Sequence, residues 1–162
     1  MSERKQNKKI DKRAPVIVGV GDLVDRSKED GLNPQELLAK ACEHAIQDSG
    51  IKELSKHIDY VGVVRFTVDF LTATNQSNFQ YSNFPRTLAN KLNISAKNEV
   101  YAPMGGNSPQ VLLEDALVKI STGETDCALL SGGEALQTMI AKLKAGMSLD
   151  WLDEPGGSPE MI

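Results

Sequence analysis

Short β-branched runs, each closed by glycine or proline and each followed by a stretch of helical periodicity, constrain this chain more than any other feature. Pro15-Val-Ile-Val-Gly-Val-Gly21 has the composition of a strand buried on both faces and predicts the first strand. Ile58 to Phe66, with Ile58 and Val61 to Val64 as its apolar body, predicts a second strand that pairs in parallel with the first. Glu99 to Met104 predicts a third, which Pro103 confines to a strand end or a sheet edge. Asp126 to Ser131 predicts a fourth, closed by Gly132-Gly133.

Helices fall between them. Asn33-Pro-Gln-Glu36 supplies an N-cap, a proline at the first helical position and a glutamate three residues after the cap. Leu37, Leu38, Ala41, Cys42, Ala45 and Ile46 then form one stripe, and Gly50 stands where a left-handed cap belongs. Pro85 to Leu92 predicts a short helix. Asn107 or Ser108 can cap a longer one, with Val111, Leu112, Ala116, Leu117 and Ile120 as its stripe and Gly123 as its end. Glu134 to Ala145, with Leu136, Met139, Ile140 and Leu143 on one side, predicts a last helix ended by Gly146. Thr67 to Phe84 shows neither period and reads as a covering loop; Asp150 to Ile162 reads as irregular. Strands alternating with helices imply right-handed βαβ crossovers and an α/β fold, a mainly parallel sheet with helices on both faces.

Composition narrows the class. At 162 residues and 40% hydrophobic, the chain suits one sizeable core, and a mean hydropathy of -0.30 describes a soluble protein. Pro15 to Gly21 and Cys127 to Ser131 are far shorter than the roughly 20 residues of a membrane span. The amino terminus has charge but no apolar core or cleavage site, so a cytoplasmic protein with no membrane partner is expected. Cys42 and Cys127 lack a C-x-x-C spacing and lie in apolar patterns, which predicts buried free thiols and no metal. Residues 1 to 13 hold six Lys and Arg against Glu3 and Asp11, about +4, which leaves about -8 for the rest of a chain of net charge -4. A basic, flexible tail over residues 1–14 without a base-stacking aromatic, on an acidic body, argues against nucleic acid.

Two glycine motifs bear on chemistry. Val18-Gly-Val-Gly21 follows a strand, as in a dinucleotide fingerprint, but the third glycine is missing and the helix starts a dozen residues on. It therefore reads as strand-end glycines, and a nucleotide-binding domain ranks last among the functional readings. Gly105-Gly-Asn-Ser-Pro-Gln110 is a glycine turn running into a helix start, which presents free backbone N–H groups and the positive end of a dipole to an anion or a nucleophile. From chemistry alone the favoured reading is a tight strand-to-helix turn with Asn107 or Ser108 as cap. Ser108 lacks the glycine two residues later that a nucleophile elbow needs. His44 and His57 have no catalytic partner at a recognisable spacing and read as structural. Glu134, after Gly132-Gly133, presents a carboxylate at the carboxyl end of a strand, the rim where open α/β sheets place ligands, or serves as an early helix charge.

Taken in order, Pro15 to Gly21, the helix from Pro34 to Gly50, Ile58 to Val64, Tyr101-Ala-Pro-Met-Gly-Gly-Asn-Ser-Pro-Gln110, Ile120-Ser-Thr-Gly-Glu-Thr-Asp126 and Leu130-Ser-Gly-Gly-Glu-Ala135 resemble the amino-terminal half of thiolases over about residues 15 to 135. The similarity is to acetyl-CoA acetyltransferase-like proteins of the sterol-carrier-protein thiolase group. It implies a thiolase-like half of βαβαβαββ type, incomplete here, with an N-terminal α/β domain over residues 15–133 and the opening of a loop region over 134–162. It also implies an acyltransferase of lipid metabolism acting on acyl-CoA, with no resident cofactor. In thiolases a nucleophilic cysteine opens the helix that precedes the Ile-x-x-Gly-x-x-Asp segment; counting back from Ile120 puts Gly106 there. Asn107 and Ser108 are the nearest substitutes, and neither carries a thiolate. The resemblance thus implies an acyl-CoA or thioester site at Gly105, Gly106, Asn107, Ser108, Gly132, Gly133 and Glu134 with no catalytic residue of its own, in a chain inactive alone. An alternative is a non-catalytic scaffold subunit that pairs with a separate thiolase half; a homo-oligomer or a partner supplying the second half is expected.

Overall fold

A computed structural model of the chain describes residues 11–69, 81–151 and 153–162. Three parallel strands, β1 (Tyr60–Val64), β2 (Asn98–Ala102) and β3 (Ala128–Ser131), form a sheet in the order β2-β1-β3. The register runs from Tyr60 opposite Asn98 to Val64 opposite Ala102 on one side of β1, and from Tyr60 opposite Ala128 to Val63 opposite Ser131 on the other. The helices are α1 (Pro34–Asp48), α2 (Phe84–Lys91), α3 (Ser108–Thr122) and α4 (Leu136–Lys144). A single 3-10 turn at Leu54–Lys56 leads into β1. The expected α/β fold, with a parallel sheet between two helical layers, is what the chain adopts.

Alternation along β1 explains the layers. Val61 and Val63, both fully buried, join Leu38, Cys42, Leu88 and Phe84 in the larger core under α1 and α2, to which α4 and the following segment add Met139, Leu149 and Trp151. Tyr60 and Val64 point the other way, to Leu112 and Ala116 of α3. A Cβ on Gly62 would meet Leu112 Cδ1 at 2.8 Å, so glycine there lets α3 sit close to the sheet. Phe66, Tyr81 and Phe84 pack edge to face with centroids 4.8–5.7 Å apart, a strong anchor for the larger core.

Local signals held where they were self-contained. Asn33 and Glu36 form a reciprocal capping box on α1, and Gly50 adopts φ +65° just past its end. α2 starts at Phe84, one residue before the expected start, and is capped by Asn83, while Gly123 at φ +84° ends α3. Asn107 occupies the N-cap position of α3, but its side chain makes no capping hydrogen bond. The helical stripes overstate burial: of the five α3 stripe residues only Leu112 and Ala116 are buried, while Val111 and Leu117 are exposed, as are Ile140 and Leu143 of α4. In the expected covering loop, Thr67 to Asp69 are helical, and residues 70–80 lie outside the described residues.

The largest correction concerns Pro15–Gly21. The segment forms no strand, and Val16, Ile17 and Val20 are 75%, 78% and 67% exposed. β1 therefore pairs with β2 and β3, not with a first strand. Side-chain composition reports that a segment suits a buried strand, but burial also needs a backbone neighbour at ladder distance. Pro15–Gly21 is instead held on α1. Cβ atoms on Gly19 and Gly21 would lie 2.2 Å from Ala45 O and 2.3 Å from Ala41 O, so these glycines serve helix contact. The Val20 N–H donates to Asp48 Oδ2 at 2.9 Å, and Arg13 pairs with Asp126 at 3.1 Å.

Candidate functional site

Parallel strands that end together leave a rim where the following turns meet, and a cavity of about 620 Å³ opens there. Val64, Arg65 and Phe66 come from the end of β1, Met104 to Gly106 from the turn after β2, and Leu130 to Glu134 from the end of β3; Pro109 and Leu112 close it from α3. Five of the residues singled out in the sequence thus converge: Gly105, Gly106, Gly132, Gly133 and Glu134. Asn107, exposed, and Ser108, only 3% exposed, do not line it. The Ser108 N–H donates to Gly105 O at 3.1 Å and the Gln110 N–H to Asn107 O at 3.0 Å, the tight turn that starts α3.

The electrostatics favour a polarised or anionic group at that start. No side chain caps the helix and its first turn holds no acid, so the positive end of the dipole is uncompensated. Arg65 adds a cation from across the cavity: its Nε lies 3.2 Å from Asp69 Oδ2 and its guanidinium stacks 4.6 Å from the Tyr101 ring centroid. The Tyr101 hydroxyl donates to the same Asp69 Oδ2 at 2.9 Å, and burial and Asp69 together push the Tyr101 hydroxyl pKa well up, so this group stays a neutral donor. Glu134 accepts a hydrogen bond from the Thr67 N–H, which ties the glycine turn after β3 to the end of β1. A Cβ on Gly106 would meet nothing within 4 Å, whereas one on Gly133 would meet Leu38 Cδ1 at 3.0 Å. The first glycine faces open space and the second is wedged.

Sequence reasoning missed Arg65, Phe66, Met104 and Leu130 as lining residues. Arg65 was the findable one, since a charge directly after the apolar body of a parallel strand stands at the rim.

No thiol reaches this cavity. Cys42 and Cys127 are free and line a second cavity, of about 690 Å³, between Pro15–Gly21 and the sheet. Burial pushes the Cys42 thiol up to about 11, despite a hydrogen bond from Ser131, and burial raises that of Cys127 also. His44 is exposed, its Nδ1 2.9 Å from Asp22 O, and His57 is exposed on the far side of the 3-10 turn. Among the described residues no three His, Cys, Asp or Glu side chains gather to hold a metal, and no helix is long and apolar enough to cross a membrane.

No family model matches the chain, and no curated protein matches it. Among solved structures it is similar to a monomeric SCP2-thiolase-like protein type 1 from Mycobacterium smegmatis, at 30% identity and a TM-score of 0.58 over 76% of this chain. The match covers 24% of that protein, so this chain spans about a quarter of its length. The fold is thiolase-like, as the order of sequence motifs had implied.

Proposed function

We propose that the rim cavity binds an acyl thioester of the acyl-CoA type, without covalent catalysis, in a chain related to the sterol-carrier-protein thiolases. The observation that carries this reading is the convergence of the uncapped α3 start at Gly105-Gly106 with Gly132-Gly133-Glu134 and Arg65 around one cavity. A thioester carbonyl is polar without charge, and the Gly106 N–H in the turn before α3, strengthened by the helix dipole and by Arg65, suits the partial negative charge on its oxygen. Val64, Phe66, Met104 and Leu112 supply apolar wall for the adjoining acyl group. Acyl transfer to the protein would require a thiolate at this point; position 106 is glycine, and the two cysteines line the other cavity. Acetyl-CoA titrated into the full chain by calorimetry should give heat of binding, and the same mixture should release no free CoA above background. Absence of binding overturns the proposal, and sustained CoA release overturns its non-catalytic part.

A second reading, a subunit that pairs with a separate thiolase-like half, is favoured by apolar residues Val111, Leu117 and Val118 left exposed on α3. Sedimentation of the purified chain distinguishes the two: a monomer that binds acetyl-CoA supports the first, and a stoichiometric complex without CoA binding supports the second. Two free cysteines accord with a reducing, cytoplasmic location under either.

A further inference from the structure

We propose that the acyl group taken by the rim cavity ends in a carboxylate, and that Arg65 is the residue that selects it. The proposal rests on the thioester reading above and adds the chemical class of the acyl chain.

Among the described residues Arg65 is the one cation lining the cavity, and the fold fixes it on two sides. Its guanidinium stacks 4.6 Å from the ring centroid of the fully buried Tyr101, and its Nε is buried 3.2 Å from Asp69 Oδ2. Asp69 is itself held. At 1% exposure it accepts from the Tyr81 N–H on Oδ1 at 3.0 Å and from the Tyr101 hydroxyl on Oδ2 at 2.9 Å.

That arrangement leaves donors over. An ionised carboxylate offers about four acceptor sites, and Tyr81 and Tyr101 occupy two of those on Asp69. Even with the Tyr101 hydroxyl oxygen added, at most about three remain for the five N–H donors of a guanidinium. The Arg65 side chain is 27% exposed although Nε is buried, so the spare donors belong to the terminal nitrogens, at the surface that Arg65 gives to the cavity. Two parallel N–H groups there match the two oxygens of a carboxylate and hold it more strongly than any uncharged acceptor.

The rest of the cavity sets the ligand's form. Gly106 places the thioester carbonyl, and Phe66, Met104 and Leu112 supply apolar wall. A short acyl chain, polar at both ends and apolar between, meets all three requirements. The phosphates of CoA do not reach Arg65 in this pose, because the pantetheine arm separates the nearest one from the sulfur by more than the width of a cavity of about 620 Å³. Glu134 opposes an anion, but it is exposed and its carboxylate accepts from the Thr67 N–H, so water and salt screen its repulsion. A bidentate contact at hydrogen-bond distance outweighs it.

The test titrates glutaryl-CoA and hexanoyl-CoA, which share the CoA part and are similar in acyl length, into the full chain by calorimetry. Glutaryl-CoA should bind about tenfold more tightly. Arg65→Met, which keeps an apolar stem over Tyr101, should bring the two affinities within about twofold of each other. Arg65→Lys keeps a charge beside the buried Asp69 where Arg65→Met does not fold, and should narrow the preference to about threefold. Equal affinities in the parent chain would overturn the inference and leave the thioester reading standing. Binding of neither ligand would overturn both. Equal weakening of the two ligands by Arg65→Met would assign the cation to the CoA phosphates and overturn the carboxylate assignment.

Discussion

The two edges of the sheet are built on opposite plans. Outside β2, the chain returns to close the edge: Glu160 forms a parallel bridge with Val100, its N–H donating to Glu99 O at 2.7 Å and its carbonyl accepting from Tyr101 at 2.9 Å. Side chains fasten that return. Asn83, fully buried, caps α2 and donates to Glu99 and to Gly156 O, while Arg86 pairs with Glu99 at 2.8 Å. Outside β3 the polypeptide also returns, as Pro15–Gly21, but it stops short and leaves a cleft. Both flanking segments are near a strand in space; only one reaches hydrogen-bonding distance. Proximity of a segment is not strand pairing, and an apolar run without its ladder partner stays exposed.

Mutations can break this contrast. The largest effect is expected from Asn83→Ala, which removes a cap and two donors from a site at 0% exposure and leaves the Glu99 carboxylate short of a partner; chemical denaturation should show a loss of about 3 kcal/mol. Val63→Ala, in the closed sheet, should cost about 2 kcal/mol, and Val16→Ala less than about 0.5 kcal/mol. Equal losses would mean that Pro15–Gly21 is a buried strand after all. Raising the pH supplies a milder probe. Burial pushes the Cys42 thiol from its ordinary 9.0 up to about 11 in the folded chain, so its contribution is fully present below about 9 and is lost as pH rises toward 11. A Cys42→Ala variant should show a smaller fall in Tm across that window than the parent. Glu160→Ala should change stability little, by about 0.5 kcal/mol at most, because its pair with Lys119 is half exposed at the glutamate and the backbone bridge survives.

Elements whose signals are local were legible from the sequence. The capping box at Asn33 and Glu36, the left-handed glycines at 50, 123 and 146, and the apolar bodies of β1 and β3 depend on near neighbours in the chain, and each is where its spacing predicts. Pairing was not legible, because nothing in Val61 to Val64 says which strand lies beside them; β1 is central, flanked by the two later strands. The rim site was half legible. Strand-end glycines and the α3 start follow from turn chemistry, but the contribution of Arg65 depends on Asp69 and Tyr101, which only the fold brings together. The cleft beside β3 was invisible to pattern reasoning, which assumed that a strand-like segment finds a strand.

The central claim, that an acyl thioester carbonyl rests at the start of α3, is tested most directly by giving that point a nucleophile. Gly106→Cys introduces a side chain where a Cβ has no neighbour within 4 Å, and the helix start lowers the thiol pKa. With acetyl-CoA, the thiolate attacks the carbonyl carbon, the carbon–sulfur bond to CoA breaks and CoA leaves as its thiolate. Intact-mass measurement should find one acetyl group on Gly106→Cys and none on the parent chain. A folded Gly106→Cys protein that stays unmodified, or a parent chain acetylated to the same extent, would contradict the account.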